Sequence, residues 1–272
     1  MKTNRIERRG KNPLALLVAG LLVAALAVAL AAVGFGKLRA VYLEQCVVTD
    51  LSRQVSVTSG KMVKADVIQE LLGLKVGANL ATIDFGKKRQ ELLERIPNLL
   101  SVRITRQLPD RVTVVAEERT PVARMGVKGR PANQGRVVDT EGVVFSWQRG
   151  TQTLPIVRVA EMSAIAPGKR IGGRALAALR LIEACRDPKL SDLGVLEVDA
   201  TPHDFLLATL GNYSKLKIAW RDMDDPSPAA QADLLKRLSN LGDAIRAKVA
   251  PGTVIWNATV EDRIFADTQE KL

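Results

Sequence analysis

LLSVRITRQLPDRVTVVAEERTPVA, residues 99–123, contains two runs that alternate every second position. Val102 and Ile104 share a face of the first run, and Val112, Val114 and Ala116 share a face of the second. Gln107-Leu108-Pro109-Asp110 between them suits a tight turn joining antiparallel strands. Glu117 and Glu118 end the second run. Neighbours on a strand point to opposite faces, so these two carboxylates cannot flank one bond as an acid and base pair. Glu118 has the parity of the apolar face, which predicts a strand-end carboxylate held by a backbone N–H or an Arg, with Arg119 and Pro121 forming the exit into the next segment.

Towards the N terminus, VSVTSG (55–60) alternates like a short strand. KMVKADVIQELLGLKVG (61–77) then carries Val63, Val67, Ile68, Leu71 and Leu72 on one helical face before Gly73. A second helix is predicted from Asp84 to Ile96, with Leu92, Leu93 and Ile96 inward and Lys87, Lys88 and Arg89 outward, stopped by Pro97. Residues 54–121 thus read strand, helix, helix, strand, strand, a small sheet with two helices on one face. Thr58-Ser59-Gly60-Lys61 fails as a phosphate loop, because Val55 stands where the first glycine belongs and Met62 where the hydroxyl belongs.

Beyond Pro121 short strands dominate: two in RVVDTEGVVFSW, one in LPIVRV, and three in GVLEVDA, DFLLATL and KLKIAW. Amphipathic helices are predicted from Gly173 to Arg186 and from Pro228 to Val249, and TVIWNATVEDRIFA reads as one long strand-like segment. Residues 122–266 form the expected second domain of mixed sheet and helices, and 267–272 a polar tail.

No charge occurs from Asn12 to Gly36, and the 22 residues Leu14–Phe35 reach roughly 33 Å, enough for a hydrocarbon core of about 30 Å. This predicts a membrane-spanning helix over 13–36, followed by a stalk over 37–53. Ala29-Leu30-Ala31 resembles a signal-peptide cleavage site, but such apolar regions run about 7–15 residues, and the length favours an uncleaved anchor. Lys2, Arg5, Arg8, Arg9 and Lys11 precede the segment, which places residues 1–12 in the cytoplasm and the bulk outside.

The net charge is +11; the first twelve residues carry five basic and one acidic side chain, so the remainder is +7. No basic run interleaved with aromatics points to nucleic acid. One histidine and two cysteines exclude an ordinary zinc site, and 4% aromatic residues disfavour a small-molecule pocket. No cofactor or metal is expected. Cys46 and Cys185 read as isolated thiols in preference to a disulfide. His203 has no nucleophile in a recognisable context, and the glycosylation sequons at Asn212 and Asn257 would matter only in a eukaryotic protein and are chance matches in a bacterial one.

The N-terminal anchor, the module that opens with VSVTSG and contains GANLATIDF, and the phrase met by Arg106, Pro109, Asp110, Glu118, Arg119, Pro121, Val122 and Ala123 together resemble the FtsQ/DivIB family of bacterial cell-division proteins. Val138-Asp139-x-x-Gly142 and Leu154-Pro155 are similar to its second domain. The resemblance implies an α+β fold with an N-terminal transmembrane helix, a POTRA-like domain (strand-helix-helix-strand-strand) and a mixed sheet/helix β domain. It implies a non-enzymatic scaffold at the division septum, single-pass in the inner membrane, with partners of the FtsB/FtsL (DivIC) type. It also implies a partner strand adding to the last strand, beside the long helix. In this sequence that is Val260, Glu261, Asp262, Arg263, Ile264, Phe265 and Ala266, with pairing only inside the chain's own sheet as the bland alternative. The chain departs from the family where Leu108 and Asn98 replace common tryptophans, and where Ile255-Trp256-Asn257-Ala258 replaces an Asp-x-Arg-x strand. A POTRA-type transport or outer-membrane assembly component would repeat the module before a barrel, and a wall enzyme would show a nucleophile with its base; neither pattern is present.

Overall fold

The computed structural model describes residues 13–132, 135–148, 150–225, 227–247, 252–261 and 263–267. Residues 1–12, expected as the cytoplasmic tail, lie outside the described residues, as do 268–272 of the expected C-terminal tail.

Helix α1 (Pro13–Gln45) is 33 residues long, about 50 Å, and is long and apolar enough to cross a membrane. It does not stop at Gly36 but runs unbroken through the first half of the expected stalk. The second half is not a stalk either. Cys46 and Val48 are fully buried, and short strand-like hydrogen bonds tie them to the first module: Val48 N–H donates to Ala78 O (2.8 Å) and Leu80 N–H to Cys46 O (2.8 Å). Apolar side chains at 46 and 48 make this segment part of a core, which charge and helix periodicity alone did not show. A one-turn helix, α2 (Leu51–Gln54), follows, capped by Asp50, which accepts from Ser52 N–H (2.9 Å).

The first module contains β1 (Val55–Thr58), α3 (Ala65–Leu71), α4 (Phe85–Arg95), β2 (Leu99–Gln107) and β3 (Arg111–Glu118), the predicted order. The sheet order is β1-β3-β2, with β1 parallel and β2 antiparallel to the central β3. Ile68 and Leu72 at the α3 end, Phe85 and Leu92 from α4, and Val102, Val112, Val114 and Ala116 from the strands close one core. Two details differ from the periodicity. Val67 faces solvent, and α3 begins at Ala65 rather than near Lys61.

The second module contains β4 (Ala123–Val127), β5 (Arg136–Val138), β6 (Val144–Ser146), β7 (Ile156–Val159), α5 (Gly173–Ala184), β8 (Glu197–Asp199), β9 (Leu206–Thr209), β10 (Lys215–Ile218), α6 (Pro228–Arg246), β11 (Ile255–Ala258) and β12 (Phe265–Asp267). Among the described residues these strands form one sheet in the order β12-β11-β10-β9-β8-β7-β4-β5-β6. Of the three parallel pairs, β7–β8 and β10–β11 cross over through α5 and α6, and β4–β7 crosses over through the β5–β6 hairpin. Alternate residues Val157, Val159, Val198, Leu206, Ala208, Leu216 and Ile218 face these helices, where Leu179, Leu181, Leu234, Leu238 and Leu241 complete the core.

Strand β4 was not anticipated, although it lies inside the sheet between β5 and β7. The expected single C-terminal strand is two antiparallel strands, β11 and β12, separated by a turn. Helix α6 is capped by Ser227, whose Oγ accepts from Ala230 N–H (3.2 Å), and ends at Arg246; its expected end, Val249, lies outside the described residues. Leu238→Ala, which opens a cavity under this crossover, is expected to cost about 2–5 kcal/mol in urea unfolding. Leu235→Ala on the outer side of the same helix should cost no more than about 0.5 kcal/mol.

Candidate functional site: the junction and the sheet edge

Glu118 and Arg119 leave β3 in opposite senses. The Glu118 carboxylate points back into the first module and accepts three backbone N–H groups, from Lys61 (3.0 Å), Met62 (2.9 Å) and Val63 (2.7 Å). The loop that fails as a phosphate cradle is therefore a cradle for the chain's own carboxylate. It also explains the late start of α3, because residues 61–63 turn their N–H groups on the carboxylate before the helix begins at Ala65. Gly60 permits the approach, since a Cβ there would lie 2.3 Å from Glu118 Cδ. Glu117 is exposed on the other face and accepts only from Ser101 Oγ (3.1 Å).

The Arg119 guanidinium points forward into the second module. Its Nη1 donates to Asp139 Oδ2 and to Glu141 Oε2 (3.1 Å). Burial works against the charge, but the hydrogen bonds to Asp139 and Glu141 outweigh it and hold the guanidinium above its ordinary value. Asp139 Oδ1 meanwhile accepts from Glu141 N–H (3.1 Å) and Val143 N–H (2.8 Å), so the Val138-Asp139-Thr140-Glu141-Gly142 turn is built round the carboxylate that Arg119 grips. Asn98 takes part as well: its O accepts from Arg119 N–H (2.8 Å) and its Nδ2 donates to Ser146 O (2.5 Å). Sequence reasoning marked Asn98 only as a departure; its position directly after Pro97, the helix stop, was the available signal. Past Pro121, Val122 N–H donates to Val138 O (2.8 Å) and Arg186 Nη2 to Val122 O (2.9 Å).

The second predicted site lies at the other end of the sheet. Of the seven residues expected to form an edge strand, Phe265 and Ala266 lie in β12, paired to Asn257 and Trp256. Val260, Glu261, Arg263 and Ile264 belong instead to the turn before it, and Asp262 lies outside the described residues. The break is made by Asn257, whose Oδ1 turns back to accept Thr259 N–H (3.1 Å) and Thr259 Oγ1 (2.8 Å). Ile264 packs against the core while Phe265, Ala266 and Asp267 are exposed. Arg237, buried on α6, ties this corner together through Ala258 O (3.3 Å) and Asp233 (3.2 Å). The opposite edge is closed: Val144 in β6 donates to Lys169 O (2.8 Å) and accepts from Gly168 N–H (2.8 Å).

Cys46 and Cys185 are both free and buried, and burial pushes the Cys185 thiol up to about 12. His203 is exposed, with Nδ1 2.9 Å from Asp204 Oδ1. Among the described residues no three His, Cys, Asp or Glu side chains stand together as metal ligands. A groove of about 480 Å³ opens between α5 and the start of α6, lined by Arg180, Glu183, Ala184, Trp220 and Leu234 among others. Burial raises Glu183 above the ordinary carboxylate value against the pull of Arg186 and Arg180.

Residues 52–119 match the POTRA domain of FtsQ type. The chain carries an FtsQ-type POTRA domain. The cell division protein FtsQ of Neisseria meningitidis serogroup B is 40% identical over 72 residues, 26% of this chain and 28% of that protein. FtsQ of Neisseria gonorrhoeae is 40% identical over 72 residues, 26% of this chain and 27% of its own. The chain thus matches about a quarter of the length of these curated relatives. The strand-helix-helix-strand-strand module, the apolar helix before it and the FtsQ-named relatives support the FtsQ/DivIB resemblance read from the motifs.

Glu118→Gln, which leaves three N–H groups facing a weaker acceptor, is expected to lower stability by about 1–2 kcal/mol in denaturant unfolding, and Glu117→Gln by no more than about 0.5 kcal/mol. Glu183 gives a pH signature. Its raised folded value means that its contribution is favourable below the model-compound value of 4.5 and is lost as pH rises through the folded value. Glu183→Gln should therefore be the more stable protein at neutral pH, with the advantage gone below that range, as followed by melting temperature against pH.

Proposed function

We propose that the protein is a membrane-anchored scaffold of bacterial cell division. Its external modules bind other division proteins and so help to assemble and control septal peptidoglycan synthesis. The FtsQ-type POTRA domain and the FtsQ-named relatives support the cell-division reading, and α1 supports a single-pass anchor in the inner membrane. The basic N-terminal residues favour a cytoplasmic N terminus and an extracytoplasmic bulk.

The observation that carries the binding role is the place of β12 at the margin of the sheet among the described residues. A partner strand can add there through backbone groups alone, so the Asn257 departure from the family pattern leaves that mode intact. Val260, Glu261, Arg263 and Ile264 then form the lip of the site, with Phe265 and Ala266 as the strand itself. Partners of the FtsB/FtsL (DivIC) type are the natural candidates. Glu118, Arg119 and Pro121 serve the scaffold as a rigid junction.

Phe265 is half exposed on the edge, whereas Ile264 packs inward, so Phe265 is the better position for a photoreactive residue. In dividing cells it should capture a division protein, and a photoreactive residue at the buried Leu238 should capture none. Normal division with no capture from Phe265 would sink the edge-strand reading.

A further inference from the structure

The loop Lys75-Val76-Gly77 belongs to the POTRA domain but is held at the mouth of α1. Gly77 N–H donates to Val48 O (2.8 Å), Val48 N–H to Ala78 O (2.8 Å), and Asn79 Nδ2 to Leu43 O in the last turn of α1 (2.8 Å). Leu43 O also accepts from Cys46 N–H (3.1 Å), so the Asn79 bond adds a second donor at the helix end and clamps the domain to the helix with no free linker between them.

The helix sets the height of this loop. About 50 Å of helix, shortened to about 47 Å along the bilayer normal by a common tilt of about 20°, exceeds a full bilayer of roughly 40–45 Å by a few ångströms. Gln45, and the loop clamped beside it, then stand at the outer headgroup surface. The surface there has the composition such a position needs. Val76 is 62% exposed although it sits in an ordered loop, Leu38 is 72% exposed, and Val41 and Tyr42 are also uncovered, continuing the apolar surface of the spanning segment. Lys37, Arg39 and Lys75 interleave with them against one acid, Glu44. Amphipathic tyrosine and long basic side chains suit the headgroup layer, with apolar stems inward and charges at the phosphates.

We infer that the POTRA domain rests on the membrane, with Val76 inserted among the headgroups and Lys75, Lys37 and Arg39 paired to the phosphates of anionic phospholipid. This rests on α1 as an uncleaved anchor and is independent of any partner at β12.

The native thiols are buried, so a single exposed cysteine can be labelled selectively in the folded full chain. Val76→Cys, and Leu196→Cys on the second module (Leu196 is 41% exposed), would carry an environment-sensitive fluorophore after reconstitution into phosphatidylcholine vesicles with or without phosphatidylglycerol. The label at 76 should shift to the blue and be quenched by brominated lipid, more strongly with phosphatidylglycerol, while the label at 196 stays in water. Adding Lys75→Glu should shift the docked-to-undocked ratio about five-fold or more. A label at 76 as wet as the one at 196 in both vesicles would overturn the inference. So would quenching that ignores both phosphatidylglycerol and Lys75→Glu.

Discussion

A carboxylate and a guanidinium on consecutive residues hold the two modules together. Glu118 satisfies three N–H groups of the loop before α3, and Arg119 grips Asp139 and Glu141 beyond β5. Each contact is charge-assisted; Glu118 pairs backbone groups of the 61–63 loop, while Arg119 holds the carboxylate, Asp139, round which the next turn is built. Because the two side chains leave the same strand end, neither module can rotate about residue 119 without breaking one set. Asn98 adds a third tie from the other side, and Pro121 removes a rotatable φ just past the junction. The two adjacent carboxylates thus part company, as their alternation predicts: Glu118 closes a loop and Glu117 faces solvent.

Most of the first module was legible because its signals are local. Period-two runs give β2 and β3, the turn at 107–110 fixes their pairing, and parity alone placed Glu118 on the apolar side. What failed there depends on distance. Residues 61–63 have helical periodicity, but a carboxylate 55 or more positions away captures their N–H groups. Cys46 and Val48 look like stalk until the loop at 77–80 is brought beside them. In the second module β4 escaped notice because Met125, Gly126 and Val127 are buried in succession and show no alternation. The split of the last strand was more accessible. Asn257-Ala258-Thr259 reads as a local turn signal, since an Asn side chain commonly accepts from the backbone two residues on.

Topology explains why the open edge is where it is. Two of the three parallel steps, β7 to β8 and β10 to β11, cross over through a helix on the core face, and both helices cover the same side, whereas the β4 to β7 step crosses through the β5–β6 hairpin. After the second crossover the short antiparallel return, β12, lies at the sheet margin among the described residues. The other margin is sealed by the 168–170 segment, whose Gly168 also lies against Pro97 of the POTRA domain. Sealing one margin of a sheet guards against indiscriminate edge-to-edge association there.

The two ends of the molecule are therefore linked by a continuous set of ordered contacts. From the last turn of α1, the Asn79 clamp leads into the first core, Glu118 and Arg119 lead from that core to the β5–β6 turn, and the sheet leads from β6 to β12. Eight strand spacings of about 4.8 Å put β12 roughly 38 Å from the junction side. A flexible linker anywhere along this route would let the edge sample a large volume, and a partner would lose more rotational freedom on binding. With the clamp and the junction both closed, the orientation of α1 in the bilayer also sets where the β12 edge points. For the proposed partner strand, this would restrict the height and angle of approach, because the entropy of orienting the edge has already been met by folding.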